Sequence, residues 1–210
     1  MGKIVFIAAL AMATASAGAA TWYASPNGDN NNDGKSMATA VKSLGTAVNK
    51  ASAGDTVVLD KGTWTWKSSH NTINKAITVR GSGNRETIFR SEISTAEYQI
   101  SLENESAVLE NVTFVGTTAT TGKGKGDWNY PPAAVELNGG TLRNCTICNF
   151  RAAADTHVSA VSMRGSQKAV MENCTLTNNS CGKIDAAYGV VYMNNAKATV
   201  RNCEIAYNRG

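Results

Sequence analysis

Proline, histidine and charge are all scarce in this 210-residue chain. It has three prolines and two histidines, and Asp, Glu, Lys and Arg together make up 17% of it. Low charge beside 42% hydrophobic residues argues against a disordered chain, and the length suits one buried domain. The sequence contains no Lys/Arg run, which removes the usual footprint of a nucleic-acid or anionic-membrane binder. Neither His70 nor His157 has a His, Cys or Asp partner at metal-site or triad spacing. Apolar runs fall well short of the roughly 20 residues a spanning helix needs.

What is present is nineteen glycines with many Asn and Thr, the composition of short strands joined by turns. The N-terminus has a separate character. Met1 to Lys3, the apolar Ile4 to Ala13 and the small-residue tract Ala15 to Ala20 have the layout of a secretory signal peptide over residues 1–20. Cleavage is expected after Ala19 or Ala20, giving a secreted or cell-surface protein. Losing Lys3 with the leader takes the formal charge from +4 to +3.

The rest of the chain repeats itself. Val108 to Phe114, Thr141 to Ile147, Val170 to Leu176 and Thr199 to Ile205 align without gaps. Their central asparagines, Asn111, Asn144, Asn173 and Asn202, are 33, 29 and 29 residues apart, a solenoid period with one insertion. Before each segment stands another alternating apolar stretch: Gln99 to Leu102, Ala134 to Leu137, Ala160 to Met163 and Val190 to Met193. Each repeat is therefore predicted to hold three short strands.

Strand side chains alternate between faces, so inward columns can be read directly. They are Leu109, Leu142, Met171 and Val200; Val112, Cys145, Cys174 and Cys203; and Phe114, Ile147, Leu176 and Ile205. The preceding strands add Ile100, Val135, Val161 and Val191, then Leu102, Leu137, Met163 and Met193. An asparagine tolerates left-handed backbone and so turns the chain between two inward residues. Outward, Glu110, Arg143, Glu172 and Arg201 alternate in sign at a rung spacing of roughly 4.8 Å. Exposed pairs of this kind are worth about 0.2–1 kcal/mol each, so the core supplies most of the stability. Thr113, Thr146 and Thr175 form a further outward column.

On these motifs the chain resembles the exported right-handed β-helix repeat proteins, relatives of pectate lyases and of bacterial polymorphic surface proteins. Trp22 to Asp29, Asn32-Asp-Gly34, Ala53 to Val58 and Gly62-Thr-Trp64 are similar to that family's N-terminal signature, and Ile77 to Asn84 to its next rung. The fold implied is all-β: a right-handed parallel β-helix, three strands per rung, with a short N-terminal capping helix. That helix is expected around Val41, Leu44, Val48 and Ala51, within an N-terminal section of residues 21–54 that precedes rungs over 55–210. Asn208-Arg-Gly210 follows a third strand directly. The sequence reading therefore expects an incomplete solenoid, continued in further sequence or covered by a partner.

In enzymes of this fold, the resemblance puts the site on the outward face of the first strands and the adjoining loops. That face carries Gln99, Ser101, Ala134, Glu136, Ala160, Ser162, Val190 and Tyr192. A glycosidase wants two flanking carboxylates and a calcium-assisted lyase wants several oxygen ligands with a base; Glu136 alone supplies neither. Glu136 is expected to be solvated, and no catalytic residue is assigned. The expected function is a non-catalytic surface or secreted module, adhesive or glycan-binding, with the N-terminal part of a polysaccharide lyase or glycoside hydrolase as the alternative. Candidate ligand contacts are Lys123, Lys125, Trp128, Tyr130, Glu136, Arg151, Asp155, His157 and Tyr192, the partner being a polysaccharide or cell-surface glycan. For Trp128 and Tyr130 the competing reading is packing over their own rung.

No cofactor is expected except, as a candidate, calcium at Asp29, Asn31 and Asp33, which match the first half of a calcium loop. Its twelfth position is Ala40 where a bidentate Glu belongs, which favours an Asx-rich turn. Cys145, Cys174 and Cys203 read as stacked small hydrophobes, with a Cys148–Cys181 bridge as a separate idea. Asn144 and Asn173 fit the glycosylation pattern, although burial in the turn is the favoured account.

Overall fold

The computed structural model describes residues 18–66, 71–83, 85–91, 99–116, 118–119, 133–152, 159–180 and 189–209. Three parallel sheets run the length of a coil. The seven-stranded sheet stacks Thr21–Ala24, Thr56–Leu59, Thr78–Gly81, Val108–Glu110, Gly140–Arg143, Ala169–Glu172 and Ala198–Arg201 in chain order. The six-stranded sheet stacks Gly62–Trp66, Thr87–Ser91, Thr113–Val115, Thr146–Cys148, Thr175–Thr177 and Glu204–Ala206. The five-stranded sheet holds Asn71–Ile73, Ile100–Leu102, Ala133–Leu137, Ser159–Met163 and Val191–Met193. Thr118–Ala119 and Arg151–Ala152 add a short two-stranded sheet.

The register is the one the repeat predicts. Leu142 pairs with Leu109 and Met171, and Ile147 with Phe114 and Leu176. Leu109, Leu142, Met171, Phe114, Ile147 and Leu176 are all fully buried. Toward the N-terminus the same column becomes aromatic: the rings of Phe89 and Phe114 are 5.2 Å apart, and Trp64 meets Phe89 edge-on at 6.2 Å. Aromatic pairs add about 0.5–1.5 kcal/mol beyond their area. In the last rung the continuing columns open to solvent, and Met193 and Ile205 are half exposed.

Asn111, Asn144, Asn173 and Asn202 share one turn, with φ of 60°, 54°, 53° and 53°. Asn144 and Asn173 are exposed there, not buried as expected, because the left-handed turn points their side chains off the coil. A second left-handed corner, two asparagines and a tyrosine, was not foreseen. Asn149, Asn178 and Tyr207 turn the chain after the six-stranded sheet at φ of 63°, 54° and 58°. Beside them Asn179 lies inside: its Oδ1 accepts from Phe150 N at 3.0 Å and its Nδ2 donates to Ile147 O at 3.0 Å. Asn208 repeats this one rung on, accepting from Asn179 N and donating to Leu176 O.

The cap is as expected with one adjustment. Leu44–Lys50 is an α-helix, N-capped by Ser43, whose hydroxyl accepts from Thr46 N. Leu44, Ala47 and Val48 face the core. Val41 is buried but precedes the helix, bridging to Ala24 as extended chain. Lys75 closes the other end, its Nζ donating to the carbonyls of Val48, Asn49 and Ala51. These are carbonyls that the helix terminus leaves unpaired.

The charge ladder is longer and drier than the sequence suggests. Arg80 extends it by one rung, and Glu110 is gripped by Arg80 and Arg143 while only 4% exposed. Glu172 takes Arg201 at 2.7 Å. Burial opposes ionisation of Glu110, but the hydrogen bonds from Arg80 and Arg143 outweigh it and hold the carboxyl below its ordinary range. Cys145, Cys174 and Cys203 are free thiols stacked inward, each donating to a carbonyl two residues back at 3.2–3.3 Å. Burial pushes the Cys145 thiol well up, which makes it inert as a nucleophile. Cys148 is also a free thiol, so it forms no bridge; Cys181 lies outside the described residues.

Two outcomes follow. Leu142→Asp is expected to abolish cooperative thermal unfolding, whereas Arg201→Ala, on the exposed end of the ladder, costs under about 1 kcal/mol. Equal melting shifts would contradict the inward and outward assignment. Because Glu110 is more acidic folded than unfolded, its contribution is complete above the ordinary glutamate pKa. It is lost as pH falls through the lowered folded value. A pH series of denaturant midpoints should show this acid loss shrinking in Glu110→Gln.

Candidate functional site

The outward face of the five-stranded sheet holds the site. Its register aligns Ser101, Glu136, Ser162 and Tyr192 in one column. Two residues further along each strand, the same pleat parity places Glu103, Asn138, Arg164 and Asn194 in a second column. Backbone bonds from Asn138 N to Leu102 O and from Asn194 N to Met163 O keep that column in step beyond the strand ends.

This face is not the solvated surface that the sequence implied. Ser101 and Ser162 are fully buried and Glu136 is 6% exposed. Glu136 is ion-paired with Arg164, whose side chain is itself mostly buried. The correction has a simple cause: alternation says which way a side chain points, not what lies over it. Ser159 and Ser162 have buried hydroxyls with no hydrogen-bond partner among the described residues.

Where the sheet gives way to the following turn, an open groove of about 540 Å³ is lined by Glu103, Glu136, Asn138, Arg164, Ser166, Gln167 and Asn194, with Gly165 at its edge. Gln167 forms a strap. Its Oε1 accepts from Glu105 N at 3.0 Å and its Nε2 donates to Glu103 O at 3.0 Å, two rungs away. Gly139 lets it pass, since a Cβ there would lie 2.9 Å from Gln167 Oε1. Asn195 ties the next turn in the same way, donating to the carbonyls of Arg164 and Gln167. Glu103 accepts from Ser101 Oγ at 3.2 Å and is otherwise exposed.

Of the candidate contacts read from sequence, Glu136 lines this groove, and Tyr192 lies two rungs along in the same column. Arg151 is not brought to it: it sits in the two-stranded sheet and donates to Asn178 Oδ1 at 3.1 Å. Lys123, Lys125, Trp128, Tyr130, Asp155 and His157 lie outside the described residues, as does His70. Glu103, Asn138, Arg164, Gln167 and Asn194 were missed. For Glu103, Asn138, Arg164 and Asn194 the usable signal was their shared offset, two residues past each outward strand position; Gln167, in the turn beyond, has no such signal.

The calcium candidates Asp29, Asn31 and Asp33 lie in a turn held by its own hydrogen bonds. Asp29 Oδ1 accepts from Asn31 N and Nδ2, and Asp33 Oδ1 from Lys35 N and Thr39 Oγ1. The Lys35 backbone and Thr39 hydroxyl bonds hold the Asp33 carboxyl below its usual range. Asn30 Oδ1 takes Lys42 N and Ser43 N. One carboxylate oxygen of Asp29 and one of Asp33 are thus engaged by the loop's own donors. Among the described residues no group of three or more His, Cys, Asp or Glu side chains could hold a metal, and no helix is long and apolar enough to cross a membrane.

A coil of stacked parallel rungs with an outward polar groove defines a β-solenoid. Residues 56–210 match the family model described as the right-handed β-helix region, so the chain belongs to that family. No curated protein and no solved structure matches it.

The Glu136–Arg164 pair gives the site a stability test. Arg164→Met leaves a buried carboxylate unpaired and should cost roughly 3–5 kcal/mol. Adding Glu136→Gln should return most of that loss in chemical denaturation. A double mutant no more stable than Arg164→Met would show that the pair is not the dominant interaction of either residue.

Proposed function

We propose that this chain is a non-catalytic, exported β-helix module that holds a carbohydrate chain in the groove beside the five-stranded sheet. The observation that carries this reading is the column Glu103, Asn138, Arg164 and Asn194. It offers one hydrogen-bonding side chain per rung at a spacing of roughly 4.8 Å. Pockets for compact ligands are mostly apolar and enclosed. An open polar groove suits a hydrated polymer that keeps much of its surface in water. Export is supported by the leader-like residues 1–20.

The absence of assigned catalysis rests on the state of the carboxylates. Glu136 is committed to an ion pair with Arg164, and Glu103 faces solvent. One observation favours a second reading, a polysaccharide lyase or glycoside hydrolase. Glu103 and Glu136 stand on adjacent rungs, offset by two positions, which puts their Cα atoms roughly 8 Å apart by strand geometry. Glycosidases use two carboxylates that flank the scissile bond.

A glycan array probed with the full chain, followed by titration calorimetry on the best ligand, tests the first reading. Asn138→Ala and Asn194→Ala should each weaken binding several-fold, about 1 kcal/mol, while Thr199→Ala on the seven-stranded face leaves it unchanged. No binding to any glycan, or equal binding by all variants, would remove the groove from function. Turnover of any glycan that Glu103→Gln abolishes would replace the first reading with the second.

A further inference from the structure

The strongest unassigned feature is a buried carboxylate with no counter-ion, at the opposite end of the coil from the groove's last rung. Asp55 is 7% exposed. Its Oδ2 accepts from Trp22 Nε1 and from Ser52 N, both at 2.9 Å, and its Oδ1 accepts from Ala20 N at 2.7 Å. These bonds, Ser52 first, then Trp22 and Ala20, hold the carboxyl below its ordinary range, so it is ionised. Among the described residues it has no ion-pair partner. Lys35 is engaged over the Trp22 ring, 3.4 Å from its centroid, and acts on Asp55 only from a distance.

The nearest donor, Ala20 N, lies inside the small-residue tract where a leader would be removed. We infer that export cleaves the Ala19–Ala20 peptide bond and that the α-ammonium so created at Ala20 is the counter-ion of Asp55. Hydrolysis by the export peptidase consumes one water, leaves a carboxylate on Ala19 of the departing leader, and frees the Ala20 amine, which protonates in place. The same nitrogen that donates as an amide then donates as a cation, with no movement of the backbone.

Three observations select this bond over its neighbours. Ala17 and Ala19 put small residues at the third and first positions before the cut, as leader removal requires. Cutting after Ala20 would strip Asp55 Oδ1 of its donor and would also remove the Ala20 carbonyl that accepts from Thr56 N at 2.9 Å, the bond that starts the seven-stranded sheet. Cutting before Gly18 would leave two exposed residues, Gly18 and Ala19, and place the new charge away from Asp55.

The test is made on the full chain produced in an exporting host. Intact mass of the exported protein should correspond to a first residue of Ala20. A start at Thr21 or Gly18, or an unprocessed chain, overturns the inference. The ion pair is read separately by comparing Asp55→Asn with wild type, each both as exported protein and as unexported protein that retains its leader. In the exported form the carboxylate faces a full positive charge where the unexported form offers an amide dipole, while its bonds from Trp22 and Ser52 are the same in both. The melting shift caused by Asp55→Asn should therefore be larger in the exported form, and equal shifts in both forms overturn the pairing. If Asp55→Asn does not accumulate, acylation of the wild-type α-amine at neutral pH gives the same reading. Slow labelling relative to a short Ala-Thr-Trp peptide is expected, and equal rates refute it.

Discussion

Everything in this molecule depends on stacking in register. In a parallel coil each rung closes the core of the one before it only if inward residues fall on inward residues, roughly 4.8 Å away. A slip of one residue would turn Leu142 outward and bring Arg143 into a dry interior. The left-handed asparagines at 111, 144, 173 and 202 prevent such slips, since each fixes where a strand of the seven-stranded sheet ends and one of the six-stranded sheet begins. Asn179 and Asn208 do the same from inside at the next corner, spending their side-chain bonds on rung-to-rung carbonyls and N–H groups. The buried amide of Asn179 is tolerated because its bonds are made within the stack.

The repeat made most of this legible. Columns one rung apart must share polarity, so Leu109, Leu142 and Met171, or Phe114, Ile147 and Leu176, identify the core without any structure. The capping helix was legible for a different reason: Val41, Leu44, Val48 and Ala51 lie close to helical spacing, although of these only Leu44 and Val48 fall within the helix itself. Less legible was the second corner. Asn149, Asn178 and Tyr207 break residue identity at the third repeat, and Phe150 stands where Asn179 and Asn208 stand later. A column that changes chemistry from rung to rung leaves no pattern to read.

Polar burial was the main thing the sequence concealed. Alternation assigns Glu110 and Glu136 outward, and both are outward, yet both are dry. Glu110 is enclosed by the guanidinium groups of its neighbours in the ladder, a consequence of stacking long arginines on either side of a shorter acid. Glu136 depends on Arg164, which lies two residues beyond the matching position in the next rung. Pairing along a diagonal is invisible to a column-by-column reading, and this is why Arg164, and with it the groove, was missed.

The groove follows from the same constraint as the core. Strands of the five-stranded sheet end one after another at Leu102, Leu137, Met163 and Met193, so the first residues of the turns also come into line. Their side chains are freed from the sheet but not from its spacing. Gln167 and Asn195 then lock the turns to earlier rungs through backbone groups, which leaves the side chains of Asn138 and Asn194 facing the groove from turns that are held by other residues. A ligand that meets this edge meets a ruler with one polar mark per rung. A polymer with a comparable repeat can match several marks at once, whereas a small molecule matches one or two. On the proposed glycan-binding reading, preference for a chain over a monomer would follow from the scaffold's period, independently of which side chain each rung presents.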